Sequence, residues 1–335
     1  MLKVLYFTSE IEKKFGVYKV VDLLKKKLKK KISIKLSSNI FDIFLFKPQI
    51  IHIHGCWKPR LFFAFLFAKL SSRKIIISPH GMIDPFSFSQ KKIKKEIAWF
   101  IYQKFMFIFS NLVIVNSKLE QKNLENKLKI KKKIKIIYHG IDVPKNLKNY
   151  KKINNELSFV FFSRIHPSKN LLKLINLWRN DFFYKKYTLD IYGEVVHKEY
   201  FNEVNKKILK EKNINYKGKI GSGLIKKLSN YDIFIHPSKS ENFGLVILEA
   251  LSCGLCPIVN KKLDWKVLDQ KNLGYSINFS HKSLKKTIKK LIKKKRLIRG
   301  KIFQKKVKTF LKEKYNWDKI VIDYQNEYNS LINFK

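Results

Sequence analysis

The segment Ser238–Ile258, SKSENFGLVILEALSCGLCPI, carries two glutamates, Glu241 and Glu249, eight positions apart. A strand is expected to end near His236, a loop follows, and a helix is expected to open at about Gly244. The backbone N–H groups of Asn242, Phe243, Gly244 and Leu245 would then form an anion site at a helix N-terminus, suited to a phosphate. Glu241 would face whatever that phosphate carries, with Glu249 about two helical turns deeper. A carboxylate accepts two hydroxyl hydrogen bonds, as from the vicinal diol of a sugar or ribose. The competing assignment makes Glu241 a cap and Glu249 a solvent-facing charge. The apolar neighbours Leu248, Ala250 and Leu251 argue against it.

Phe161–Leu171, FFSRIHPSKNL, offers a second constellation. Arg164 and Lys169 flank a turn containing Pro167, at the end of an expected strand, so both are placed to converge on one polyanion. Arginine supplies a planar fork for phosphate oxygens and lysine a point charge. Ser78-Pro79-His80-Gly81 is a third. A histidine beside glycine at a strand end presents its ring or carbonyl to a substrate hydroxyl, or else serves structure. His52 and His54 in IHIHG share one strand face, but no third ligand at zinc spacing accompanies them, so no metal is expected. No Asp-x-Asp, no G-x-x-x-x-G-K-[ST] and no strand-linked G-x-G-x-x-G occurs, which argues against a metal-held diphosphate, nucleotide hydrolysis and dinucleotide redox. Cys253-x-x-Cys256 falls at a helix C-terminus, the wrong end to activate a thiol, and reads as packing.

Positioning these groups requires strand ends. Apolar runs rich in Ile and Val mark strands at Leu2–Phe7, Ile32–Leu36, Ile50–His54, Lys74–Ser78, Leu112–Asn116 and Ile134–Tyr138. Helical stretches at Val17–Lys31, Arg60–Leu70, Lys91–Phe109 and Lys118–Leu128 separate several of them. After a polar stretch, Lys145–Glu156, the pattern restarts with strands at Leu157–Phe162, Thr188–Tyr192, Ile214–Lys217, Asp232–His236 and Cys256–Val259. Helices are expected at Ser168–Trp178, Lys198–Lys212, Gly221–Ser229 and Leu245–Ser252. This alternation predicts two successive α/β domains with doubly wound parallel sheets, residues 1–148 and 149–316. Residues 283–334 read as helix only, with an amphipathic segment opening at Trp317. Gly55, Gly81, Gly140, Gly193 and Gly218 sit at or just beyond strand ends, where open α/β sheets bind ligands, and together favour a cleft.

With 335 residues, 45% of them apolar, the chain can bury two cores and is not a disordered protein. Three cysteines exclude a disulfide framework, and the N-terminus lacks a signal peptide's apolar core, so a reducing, cytoplasmic setting is expected. No run of about 18 uninterrupted apolar residues occurs. The net charge of +47 is spread evenly: residues 1–150 hold 32 basic and 9 acidic side chains, residues 151–335 the remaining 40 and 16. Such a chain attracts polyanions of any kind, yet no zinc finger, basic zipper or aromatic RNA-binding signature directs it to specific nucleic acid. VVDLLKKKLKKK (20–31) and Lys91–Phe109 mix lysines with large apolar residues. They suit either the anionic surface of the inner membrane leaflet or a solvated helix face, and the sequence leaves both open.

The Glu241-x7-Glu249 segment, the Ser163-Arg164…Lys169-Asn170 turn and ISPHGM (77–82) resemble retaining glycosyltransferases of the GT-B fold, family 4, also described as glycosyl transferases group 1. IIHIHGCW (50–57) and IIYHGIDVP (136–144) resemble the same family, so the likeness covers nearly the whole chain. It implies a metal-independent, retaining transfer of sugar from a nucleotide-diphosphate sugar to a glycan or lipid-linked glycan in cell-surface polysaccharide assembly, such as lipopolysaccharide core or capsule. Arg164 and Lys169 would bind the donor diphosphate. Glu241 would hold the donor sugar, near the amides of Asn242, Phe243, Gly244 and Leu245. Glu249 would hold the ribose, and backbone near Lys219 and Ile220 would meet the base. His80 would contact the sugar near the reacting carbon. Gly16 would line the phosphate side from the first, acceptor-side domain, and the helix 317–335 would return to that domain. Two departures stand out: a single Gly16 where relatives often carry a glycine pair, and Ser163 where they often carry glycine. The competing classes are a sugar-nucleotide epimerase of the same fold and a nonspecific polyanion-binding protein.

Overall fold

A computed structural model describes residues 1–9, 16–129, 134–144, 156–180, 185–221 and 223–333. These form two compact units, Met1–Gly140 with Trp317–Lys335, and Ile141–Asn316. The expected boundary at 148/149 and most of the polar stretch 145–156 lie outside the described residues.

The first unit holds strands β1 (Lys3–Thr8), β2 (Ser33–Ser37), β3 (Ile50–His54), β4 (Lys74–Ser78), β5 (Leu112–Val115) and β6 (Ile134–Ile136), all parallel, in the order β2-β1-β3-β4-β5-β6. The strands alternate faces as a pleated chain must. Leu5, Phe7, Ile51 and Ile53 pack under helices Pro59–Leu70, Lys104–Phe109 and Lys118–Leu128. Val4, Tyr6 and Ile50 face the other layer, where helix Gly16–Leu28 and the terminal helix Trp317–Asn333 lie. In that terminal helix Trp317, Ile320, Val321, Tyr324, Tyr328 and Leu331 are buried, a stripe at helical spacing.

The second unit holds β7 (Phe159–Phe162), β8 (Leu189–Tyr192), β9 (Ile214–Tyr216), β10 (Ile233–His236), β11 (Cys256–Asn260) and β12 (Tyr275–Ile277), again all parallel, in the order β12-β11-β10-β7-β8-β9. Counted from its own first strand this is 3-2-1-4-5-6, the dinucleotide-fold order, whereas the first unit follows 2-1-3-4-5-6. Each sheet thus reverses direction once, between β1 and β3 in the first unit and between β7 and β10 in the second.

Several elements differ from their sequence expectation, each for a local reason. The stretch 91–109 is interrupted by a π-helical turn, Trp99–Gln103. That turn aims the buried Gln103 at the chain, where its Oε1 accepts from Trp57 N at 2.8 Å. The helix expected over Gly221–Ser229 is confined to Leu224–Leu228, because Gly223 takes a φ of +93°. Asn170, at φ +59°, separates the short 3-10 turn Pro167–Lys169 from helix Leu171–Arg179. The edge strand β12 and the four-residue helix Asp42–Leu45 are too short to leave a periodic signal. All three cysteines are buried free thiols, and no described helix is long and apolar enough to cross a membrane.

Candidate active site

The second unit's reversal point lies between the carboxyl ends of β7 and β10, and the loops leaving those strands are laced together. Lys239 N and Ser238 Oγ both donate to Ser168 O, at 2.8 and 3.1 Å, and Asn170 Nδ2 donates to Pro237 O at 3.2 Å. This lacing sets Lys169 Nζ 2.6 Å from Glu241 Oε1, across 72 positions of sequence. His236 Nε2, at the end of β10, lies 2.6 Å from the same oxygen.

The three groups are largely removed from water, with His236 wholly so. Burial by itself would raise the Glu241 carboxyl, but Lys169 and His236 outweigh it and hold the group well below the ordinary carboxylate range. Burial depresses the His236 imidazole in spite of Glu241. Its Nδ1 has no partner among the described residues, which suits a bare lone pair better than an N–H. The arrangement is therefore a carboxylate held by one ammonium and one neutral imidazole that donates through Nε2.

Beyond Glu241 the chain turns at Gly244, φ +82°, and enters helix Leu245–Ser252. The turn is anchored from outside: Trp265 Nε1 donates to Phe243 O at 2.8 Å. The first N–H groups of a helix have no intrahelical acceptor, so this anchored end presents donors. Ile247, Leu248, Ala250 and Leu251 are buried, leaving Leu245, Val246 and Glu249 on the more open side. Glu249 pairs with no described side chain, and burial raises its carboxyl above the ordinary value.

Arg164 is exposed and meets no described partner, whereas Lys169 is buried against Glu241, so the two cations do not meet directly. Both nevertheless act on one point. The His166 imidazole, depressed first by burial, is pushed further by Arg164, His197 and Lys169. Ser163 N donates to Tyr192 O at 3.1 Å, tying the β7 exit to the β8 exit. There Gly193 is obligatory, since a Cβ would come within 2.0 Å of Ser163 O. Lys219 pairs with Glu194 at 2.7 Å on the surface, and its neighbour Ile220 is half-buried. Gly16 opens the first helix of the first unit.

The reversal point of the first unit is built from imidazoles. His52 and His54, two apart on β3, stack at 4.0 Å. His54 Nδ1 is 2.9 Å from His80 Nε2, and the His80 ring lies parallel to His139 at 6.1 Å. His52 bridges Tyr328 OH and Ser78 Oγ, both at 2.8 Å, and Tyr328 OH reaches Tyr6 OH at 2.9 Å. Burial depresses all four rings, His80 to about 4 and His139 to about 3. His80 itself has a φ of +51°. The turn after it is held by Glu120, whose oxygens accept from Gly81 N at 2.5 Å and Asn116 N at 2.8 Å, and burial pushes this carboxyl up to about 7. A cavity of about 370 Å³ opens at the ends of β1 and β3, walled by Thr8, His54, Trp57, Met82, Lys91, Lys94 and Lys95. The Nε2 of His54 is buried without a partner among the described residues.

Sequence reasoning missed His236, Trp265, Glu120, His139 and Tyr328. His236 satisfied the strand-end criterion that singled out His80 and could have been found. Glu120 looks like any polar residue of an amphipathic helix.

Residues 142–308 match the family described as Glycosyl transferases group 1, and residues 12–145 match Glycosyltransferase Family 4. A 41.2 kDa protein of the cps region of Klebsiella pneumoniae is 29% identical over 249 residues, 70% of this chain and 66% of that protein. The capsular polysaccharide biosynthesis glycosyltransferase CapH of Staphylococcus aureus is 26% identical over 282 residues, 74% of this chain and 78% of CapH. Among solved structures, Anabaena Alr3699/HepE in complex with UDP and glucose superposes with a TM-score of 0.75 at 16% identity, covering 98% of this chain and 100% of that one. The epimerase and polyanion-binding alternatives gain nothing from these relatives. Two doubly wound parallel sheets, matched in order by two glycosyltransferase families, place this chain among the family 4, group 1 glycosyltransferases of the GT-B fold.

Proposed function

We propose that the protein transfers a sugar from a nucleotide-diphosphate sugar to a glycan or lipid-linked glycan in cell-surface polysaccharide assembly, with retention of anomeric configuration and without a metal ion. The observation that carries this is the buried Lys169–Glu241–His236 cluster at the reversal point of the second sheet, beside the N-terminus of helix Leu245–Ser252. In the free protein Lys169 and Glu241 satisfy each other. An incoming diphosphate, seated on the amides of residues 242–245, competes for Lys169, which together with Arg164 stabilises the negative charge that develops as the sugar leaves. Glu241, still held by His236, is then available to sugar hydroxyls, and Glu249 to the ribose.

Retention follows the family pattern. The acceptor hydroxyl oxygen bonds to the anomeric carbon on the face from which the diphosphate departs, the carbon–phosphate-oxygen bond breaks, and the acceptor's proton passes to the departing phosphate. His80 lies at the end of β4 on the first unit, whose cavity beside His54 and Trp57 is the proposed acceptor side. The names of the relatives support a capsule-type pathway, and the UDP bound by HepE makes UDP the first nucleotide to test.

The experiment is a thermal shift with UDP, GDP and ADP in EDTA, followed by transfer from the matching donor and NMR of the product's anomeric configuration. A saturating nucleotide at 100 times its Kd should add about 2.7 kcal/mol. No shift with any nucleotide, or one that appears only on adding a divalent cation, would overturn the metal-free site. An inverted product would overturn retention.

A further inference from the structure

Glu120 is a buried carboxylate that the donor-site chemistry does not use. It lies in the first turn of helix Lys118–Leu128, whose N-cap Ser117 accepts from Glu120 N at 3.0 Å. In an ordinary capping box the glutamate returns to the N–H of that cap residue. Here it reaches past the cap. Oε2 accepts from Asn116 N at 2.8 Å, and Oε1 crosses to the exit of β4, 39 positions away, to accept from Gly81 N at 2.5 Å. The His80–Gly81 peptide is trans, so the N–H of Gly81 and the carbonyl of His80 point in opposite directions. Gripping the one fixes the direction of the other. Among the described residues that carbonyl accepts no hydrogen bond. His80 also carries a φ of +51°, a conformation that a non-glycine residue keeps only where its surroundings impose it. Its ring is held separately, by His54 at 2.9 Å.

We infer that Glu120 is a positioning residue for sugar transfer: it sets the plane of the His80–Gly81 peptide and so presents a polarised His80 carbonyl to the donor sugar. The inference rests on the proposed function above, in which His80 meets that sugar. A carboxylate on the N–H side of a peptide draws electron density toward the carbonyl oxygen, which becomes a stronger acceptor for a sugar hydroxyl. The same oxygen favours the positive charge that the sugar gains as the diphosphate leaves. Capping alone does not account for Glu120, since a cap needs neither the crossing to Gly81 nor the burial. Burial pushes the carboxyl up to about 7, and Asp84 adds to this. Cys56, beyond β3, and Tyr324, on the terminal helix, face the same carboxyl and are themselves kept neutral by burial. Above neutral pH the fold therefore gives up stability to hold this group ionised, the form that grips both N–H groups most strongly.

Glu120→Gln keeps the shape of the side chain, removes its charge and turns an NH2 toward one of the two N–H donors. Its kcat should fall by about tenfold to a hundredfold, with donor KM and the UDP thermal shift unchanged. Wild-type kcat should rise between about pH 6 and 8 as Glu120 ionises, and the variant's should not. Ser117→Ala is the control: it removes the cap and keeps the carboxylate, so it should lower Tm and leave kcat as it was. A readout free of turnover is the Gly81 amide, followed by NMR of glycine-labelled protein. It should shift as Glu120 titrates near 7 in the wild type and stay fixed in Glu120→Gln. A Gly81 amide that does not titrate, a Glu120→Gln kcat equal to wild type, or the same loss of kcat in Ser117→Ala would overturn the inference. If Glu120→Gln fails to fold, the wild-type Gly81 titration and kcat profile decide it, and a flat line in either overturns it. A wild type whose Gly81 amide titrates but which transfers no sugar would uphold the grip of Glu120 and overturn the donor-site reading instead.

Discussion

At the reversal point of the first sheet the chain gathers four buried imidazoles, all depressed and neutral; at the reversal point of the second it gathers fixed charges, an ammonium against a carboxylate. The backbone logic is shared: parallel strands, a change of winding direction, loops leaving carboxyl ends. What differs is the sign and permanence of charge. Neutral rings suit hydroxyl recognition without drawing in anions. A buried carboxylate held by Lys169 is a pre-set electrostatic device, costly to assemble and sensitive to losing either partner. One architecture thus supports two chemistries, and the division can be probed from either side.

The largest effects should come from the charged end. Glu241→Ala should lower turnover by about 10²–10³, measured with saturating donor. Its loss leaves Lys169 without its buried partner, so thermal stability must be followed in parallel. Lys169→Ala should lower turnover comparably and also cost about 3 kcal/mol of stability, because Glu241 keeps only a neutral imidazole. The double variant Lys169→Met/Glu241→Gln removes both charges and should recover most of that stability with no recovery of activity. Recovery of neither, or activity close to wild type in either single variant, would break the assignment of this pair as the donor site's electrostatic core.

The strand pattern and the loops at strand ends were legible because apolar periodicity and glycine placement are local properties. That is why Arg164, Lys169, Glu241 and Glu249 could be singled out. The Lys169–Glu241 contact was not legible: it joins residues 72 apart through lacing between two loops, which no spacing rule encodes. Lys169 looked like a free cation for a phosphate and is instead buried and paired. The histidine column was half visible, since His52 and His54 alternate on one strand. The others arrive from β4 and the exit of β6, and Tyr328 arrives from the far end of the chain.

The neutral end should declare itself through pH. His80, near 4 in the fold and about 6.5 unfolded, binds its proton mainly in the unfolded chain. Its contribution is complete above pH 6.5 and falls as pH drops toward about 4, by roughly 3 kcal/mol. Glu120 runs oppositely. With its carboxyl at about 7, the fold holds a proton that the unfolded chain gives up, so stability is favoured at low pH and lost as pH rises through 7. Denaturant titrations should therefore show a shallower acid loss in His80→Gln and a steeper one in Glu120→Gln. Matching slopes in both variants and wild type would mean that the two ends do not differ in the manner described.

The smallest and most discriminating change is Trp265→Phe. The indole packs beside Phe243 and gives one hydrogen bond to its carbonyl, fixing the turn that precedes helix Leu245–Ser252. Phenylalanine keeps most of the packing and removes the donor, so stability should fall by only about 1 kcal/mol. If the 242–245 amides receive the diphosphate, loosening their anchor should raise the donor KM by about fivefold while kcat changes little. It is the split between the two constants that matters. A fall in stability with an unmoved KM would leave Trp265 as packing alone and shift the diphosphate toward Arg164 and Lys169, away from the helix end.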